Sequence, residues 1–277
     1  MREEQEEVLT YFAGKAKGYD LVDQQVYWRL SDELLWDALS KLLFKHLGDE
    51  FDFLDAGGGT GRWSKRILDE YVNARGTIYD LSPDMLSVSK EKQQKGLQKR
   101  LKLVQGDIEK MGDIEDNSYD LTFNFHNVLG FVESPERAIN ELTRVTRERG
   151  FVVSFIPNLY HNVFFNTLLG RINEAEHAVS TGKGRFTEDM PYMNMFTPGS
   201  IRELYEKSNL RNAYVIGFPI TIYPGMQETQ IQGSTENITN VLGSSENFQK
   251  IFEMERNLMY NPEIASRGNN LLVVGRK

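Results

Sequence analysis

Residues 51–62 read Phe-Asp-Phe-Leu-Asp-Ala-Gly-Gly-Gly-Thr-Gly-Arg: a short apolar run ending in an acid, Asp55, followed by Gly57, Gly58, Gly59 and Gly61. Such a run is a buried strand, and glycines at its tip let the backbone turn sharply and approach a ligand closely. A helix is expected to follow. A second strand over residues 76–80 again ends in an acid, Asp80, and Leu81, Ser82, Pro83 and Asp84 then open another helix. This is a βαβ unit whose second carboxylate can accept hydrogen bonds from both hydroxyls of a ribose. A nucleoside-containing cofactor is the direct inference.

The rest of the chain extends the pattern. Residues 5–46 are expected to be helical, with Leu34, Leu35, Ala38, Leu39, Leu42 and Leu43 at helical spacing behind an N-cap near Ser31 and Asp32, and Gly48 as the stop. From residue 51 strands and helices alternate: strand 51–56, helix 60–72, strand 76–80, helix 83–93, strand 101–105, strand 119–125, helix 135–147 and strand 151–156. Alternation of this kind implies an α/β fold, a mainly parallel sheet with helices on both faces. Regularity breaks over 158–196, read as an insertion covering the strands' carboxyl ends. A helix at 197–205 and strands at 213–218 and 270–275 complete the core, with a second insertion at about 221–268. The expected division is a helical cap (1–50), a cofactor-binding core (51–157), a lid or substrate insertion (158–196) and a C-terminal part of the core (197–277).

Bulk properties narrow the function. A net charge of -8 disfavours nucleic acid, because phosphate binding needs a basic surface; the Lys and Arg residues of 90–102 read as the solvated face and end of a helix. The chain has no cysteine, which removes disulfides, thiolate zinc sites and a cysteine nucleophile together. Its four histidines, at 46, 126, 161 and 177, are scattered without metal-ligand spacing, so no metal is expected. The acidic N-terminus and the lack of a long apolar run point to a soluble cytoplasmic protein without a membrane partner; a monomer or homodimer is expected.

Two cofactor families share this βαβ arrangement. A dinucleotide fingerprint requires a third glycine where this chain has Arg62 or Ser64, so it fails. The acid before the turn, in Asp55-Ala-Gly57-Gly-Gly59, resembles instead the first motif of class I S-adenosylmethionine-dependent methyltransferases. The resemblance continues in order. Asp80 to Leu86 is similar to the second motif, Val104 to Ile108 to the third, and Tyr119 to Leu129 to the fourth. Glu141 to Val153 is similar to the family's glutamate helix and fifth strand, with Glu148-Arg149-Gly150 in place of the usual Pro-Gly-Gly.

The resemblance implies a Rossmann-like seven-stranded sheet, mainly parallel with an antiparallel last strand, that binds S-adenosyl-L-methionine and releases S-adenosyl-L-homocysteine. It places the Gly57 and Gly59 backbone and Asp55 by the methionyl part, and Asp80 on the ribose. Asp107 takes the adenine amino group, Leu81 and Ile108 pack on the ring, and Phe125 and His126 lie near the sulfonium. Tyr19, in a segment similar to the cap of small-molecule methyltransferases, is expected to close on the methionyl carboxylate. His126 is the candidate general base. Trp28, Tyr160, His161, Phe164 and Tyr192 are the candidate substrate contacts, members of an aromatic set that also holds Trp36, Phe165, Met193 and Met195. The expected activity is methylation of an oxygen or nitrogen of a small molecule, a secondary metabolite or short peptide. The alternatives are a transfer RNA methyltransferase and a non-methylating cyclase or regulatory protein that keeps the cofactor pocket.

Overall fold

Phe53 and Leu54 are wholly buried on opposite faces of one strand, so that strand must lie inside a sheet covered on both sides. The computed structural model, which describes residues 3–93, 99–231 and 233–277, shows why. Residues 94–98, in the basic stretch expected to be a solvated helix end, lie outside the described residues. The strand is β1 (Asp52–Ala56), flanked in parallel by β2 (Arg75–Asp80) and β4 (Tyr119–Asn124). β3 (Leu101–Gln105) extends one side, and β5 (Thr146–Pro157), β9 (Asn270–Arg276) and β8 (Arg211–Phe218) extend the other, giving the order β3-β2-β1-β4-β5-β9-β8. β9 runs antiparallel to both of its neighbours, as expected for the last strand. Chain order reverses between β1 and β4, and at such a switch point the strand tips leave a crevice.

Helices cover each face. One core holds the ring ladder Phe53, Phe123, Phe155 and Phe218 under α2 (Val26–Leu39) and α4 (Arg62–Glu70). The other packs α7 (Pro135–Val145) and α10 (Pro198–Lys207) on Leu54, Val152, Ile156 and Val273. The helix starts follow from local chemistry. Ser82 caps α5 (Pro83–Lys92) by accepting from Met85 N–H, Ser134 caps α7 likewise, and a proline stands at the first turn of each.

Three local expectations are corrected. α1 (Glu3–Lys15) and a 3-10 segment (Ala16–Gln24) precede α2, which begins at Val26, so Ser31 and Asp32 lie inside a helix instead of capping one. Tyr27, Leu30, Leu34 and Ala38 carry the buried face back to that earlier start. The irregular insertion contains α8 (Leu159–Leu168), α9 (Ile172–Thr181) and the small pair β6 (Lys183–Gly184) and β7 (Met193–Asn194). β5 also begins earlier than expected and keeps Glu148-Arg149-Gly150 within it, Arg149 taking the left-handed conformation (φ 68°). The second insertion forms α11 (Glu236–Leu242) and α12 (Ser245–Leu258), whose Ile238 and Leu242 join the core beside α2. No described helix is long and apolar enough to cross a membrane.

Candidate functional site

The crevice at the β1 and β4 tips is a cleft of about 1060 Å³ including its mouth. Gly57 (φ 75°) and Gly59 (φ 53°) form its floor in a conformation that side chains disfavour. A Cβ on Gly59 would stand 3.4 Å from Met85 Cε and 3.8 Å from Asp80 Oδ2, in space a ligand needs. Asp80 is held by two backbone donors: Oδ2 accepts from Gly59 N–H and Oδ1 from Ser82 N–H, each at 2.8 Å. Burial raises its pKa, and those two donors oppose the rise. Asp55 lies beneath the turn, where its Oδ2 accepts from Ser64 Oγ at 2.7 Å; burial pushes its carboxyl up to about 7.

At the next strand tip, Asp107 Oδ1 accepts from Glu109 N–H at 2.9 Å. Its Oδ2 accepts from Gln5 Nε2 at 2.7 Å, so α1 lies across the cleft with Val8, Leu9 and Phe12 facing in. The 3-10 segment forms a strap. Asp20 accepts from Thr60 Oγ1 at 2.6 Å, Asp23 pairs with Arg62, and Tyr19 lines the cleft.

His126 and Asn127 follow β4 with φ of 53° and 71°, two non-glycine residues in succession in the left-handed region. Trp63 Nε1 donates to His126 Nε2 at 2.7 Å, and Asp32 Oδ1 lies 3.4 Å from the same nitrogen. Burial first, and the Arg62 guanidinium second, push the imidazole down to about 3, so it is neutral near pH 7.

The structure brings all ten candidate cofactor residues to this one cleft: Tyr19, Asp55, Gly57, Gly59 and Asp80 on one part of its lining, Leu81, Asp107, Ile108, Phe125 and His126 on the rest. It does not bring the five candidate substrate residues there. Trp28 donates through Nε1 to Glu228 O and packs against the core; Tyr160 and Phe164 are 52% and 47% exposed on α8. Tyr192 bonds Glu174. His161 is buried among the rings of Phe164, Phe165, Phe186 and Tyr223 with its Nε2 unpartnered. The wider aromatic set does not converge either, since Trp36 stacks on Trp63 while Met193 and Met195 are core. Sequence reasoning missed Gln5, Phe12, Arg62, Trp63, Val128, Phe131 and Val132, all of which line the cleft. For Arg62 and Trp63 a signal existed: residues opening the helix after the glycine turn face the same crevice as the turn. Among the described residues no group of His, Asp and Glu is arranged to hold a metal.

The donors and acceptors fit a sulfonium nucleoside. Asp80 presents a fixed carboxylate above the turn, Ile108 and Leu81 give an apolar bed for a ring, and Asp55 and Asp107 bracket the two ends.

Comparison with known proteins agrees. Residues 54–154 match the family described as "Methyltransferase domain". A demethylmenaquinone methyltransferase of Chlamydia pneumoniae is 27% identical over 111 residues, 40% of this chain and 46% of that protein; the chain thus spans under half the length of that curated relative. A crystal structure of a methyltransferase from Thermotoga maritima, described as a possible histamine N-methyltransferase, superposes with a TM-score of 0.58 at 15% identity, covering 97% of this chain and 98% of the other. Geranyl diphosphate C-methyltransferase of Streptomyces coelicolor, solved with S-adenosyl-L-homocysteine, gives 0.55 at 12% identity over 87% and 79% of the two chains. Residues 54–154 thus match a methyltransferase domain, and the seven-stranded sheet has the order expected from the resemblance to the class I, S-adenosylmethionine-dependent type.

Proposed function

We propose that the chain transfers a methyl group from S-adenosylmethionine to an oxygen or nitrogen of a small organic molecule. The observation that carries this reading is the enclosure of the cleft. Beyond the glycine turn its walls are Phe12, Trp63, Val128, Phe131 and Val132, and α1 and the strap cover it. An apolar chamber with few polar groups suits a small ligand. A polynucleotide needs an open basic groove, and the chain is acidic overall. The three relatives named above are themselves described by small-molecule substrates.

The bound cofactor supplies the electrophilic methyl group. In this reading Asp80 holds the ribose, Asp107 the adenine edge, and Asp55, Tyr19 and the Gly57 to Gly59 backbone the methionyl end. Phe125 and His126 wall the transfer position. The chain's own contribution is alignment and exclusion of water by α1 and the strap. Residues 1–50 are then the cap of the site, and 158–196 and 221–268 its outer supports. A soluble cytoplasmic monomer or homodimer that takes no nucleic acid completes the proposal.

The test is methyl transfer from tritiated S-adenosylmethionine to panels of phenols and quinols, primary and secondary amines, short peptides, and bulk transfer RNA. Label is expected in one of the small-molecule panels. Label in RNA alone, or none with any panel despite cofactor binding, overturns the proposal.

A further inference from the structure

His126 Nε2 has two neighbours that make opposite demands on it. The Trp63 indole offers a proton at 2.7 Å and so requires a lone pair on Nε2. Asp32 Oδ1 lies 3.4 Å away, buried with no hydrogen-bond partner; burial raises the Asp32 pKa and the Arg62 guanidinium opposes the rise, and as a carboxylate its Oδ1 is satisfied by a proton on Nε2. The other carboxylate oxygen, Oδ2, is fixed by Arg62 Nη2 at 2.6 Å, so Oδ1 has no alternative in that direction. The ring itself is held in place. Asn127 N–H donates to Phe155 O at 3.1 Å, and Asn127 Oδ1 accepts from Asn270 Nδ2 at 2.8 Å, clamping the left-handed turn that carries His126.

The choice decides which nitrogen of a cleft-lining ring carries the lone pair. A neutral imidazole has one protonated nitrogen. With the indole on Nε2, the proton sits on Nδ1 and the ring is no base there. With Asp32 on Nε2–H, Nδ1 holds the lone pair, and among the described residues no hydrogen bond reaches Nδ1. We propose that Asp32 is the positioning residue that makes His126 a proton acceptor, by holding its Nε2–H form in competition with the indole of Trp63.

The proposal rests on the methyl-transfer reading and sharpens it toward hydroxyl acceptors. The acceptor's O–H bond would break with its proton going to Nδ1, and the pair left on oxygen would form the new bond to the methyl carbon while the cofactor's methyl–sulfur bond breaks and leaves its pair on sulfur, giving S-adenosyl-L-homocysteine. The imidazolium then donates from Nε2 to the ionised Asp32, a charge-assisted bond. A weak base suffices, because a hydroxyl that is gaining a carbon substituent becomes strongly acidic. The charged groups facing the ring are Asp32 from α2, Arg62 from α4 and Asp23 from the strap; the rings of Trp63 and Phe155 pack against it. Burial keeps the ring neutral at rest, as the role requires.

Histidine-labelled protein, with four histidines in all, allows long-range proton–nitrogen correlation spectra in which His126 is identified by its loss in H126Q. In D32N the amide oxygen stays with Arg62 and the NH2 group faces Nε2, locking the Nδ1–H form. In W63F the rival donor is gone, and the Nε2–H form dominates. D32N is further expected to lower turnover of a hydroxyl acceptor by about 10²- to 10⁴-fold, the range of general base catalysis, with calorimetric affinity for S-adenosylhomocysteine changed less than twofold. The same ring form in wild type and both variants overturns the proposal. So does D32N with undiminished turnover, or with affinity and turnover falling together. Wild-type protein that gives no heat with S-adenosylhomocysteine overturns the methyl-transfer reading instead, and the ring spectra still judge the Asp32 contact on their own. Should D32N not fold, a ring that stays in the Nδ1–H form in W63F, where the rival donor is gone, is sufficient to refute it.

Discussion

The cofactor end of the cleft and the segments expected to hold the acceptor contrast in how their residues are placed. At the β1, β2 and β4 tips every candidate residue sits where a strand ends, so the sheet's register fixes its position, and for Asp80 the backbone also supplies the partners. In α8, α9 and the segment after them, the candidate residues lie on helices and loops that face several ways. His161 is sealed among rings, Tyr160 and Phe164 face solvent, and Tyr192 is engaged with Glu174. Chemistry anchored to strand ends follows from topology. Chemistry on added helices depends on packing that residue type alone does not specify.

The strongest way to break this contrast is Asp80→Ala. If the ribose hydroxyls are held there, two charge-assisted bonds of roughly 1.5–3 kcal/mol each are lost, and affinity for S-adenosylhomocysteine should fall by at least about 10²-fold. Affinity within threefold of wild type removes the strand-tip assignment. Next is His161→Phe, which tests whether that residue is core or substrate contact. Burial depresses its pKa to about 4 from 6.5, so the folded state favours the neutral ring. Its stabilising effect is therefore complete above pH 6.5 and is lost as pH falls from 6.5 to 4, by about 3 kcal/mol. The Phe variant should flatten that part of the denaturant-midpoint profile and keep kcat/KM within twofold; a large loss of kcat/KM would return His161 to the substrate site.

Asp55 sharpens the other side. With its carboxyl near 7, about half the molecules hold a proton there at pH 7, and an arriving ammonium group should expel it. Calorimetry in buffers of different ionisation enthalpy should show about half a proton released per cofactor bound. Zero release would place the methionyl amino group elsewhere. The smallest expected effect is that of Tyr160→Ala, on a half-exposed ring away from the cleft, with cofactor affinity and turnover both within about twofold. A tenfold loss of turnover would show that α8 reaches the acceptor.

Much of this architecture was legible in the chain because periodicity and punctuation agreed. The run into Gly57, the Ser82-Pro83 and Ser134-Pro135 helix starts and the spacing of Asp55, Asp80 and Asp107 each matched what the fold required. The acceptor side was not. His161 looks like a ligand contact by type and like core only once four rings surround it. Trp63 and Asp32 are both helical residues whose partner, His126, lies at a strand end far along the chain, and no local pattern encodes such a meeting. Gln5 stands 102 residues from the aspartate it touches, in a segment whose sequence reads only as an acidic helix.

That contact has a consequence for how the nucleoside comes and goes. On the assignment proposed above, the adenine amino group does not meet a vacant oxygen on Asp107 but displaces a carboxamide of much the same chemistry. Swapping one neutral donor for another yields little net gain, so grip is concentrated on the ribose while the base is held lightly.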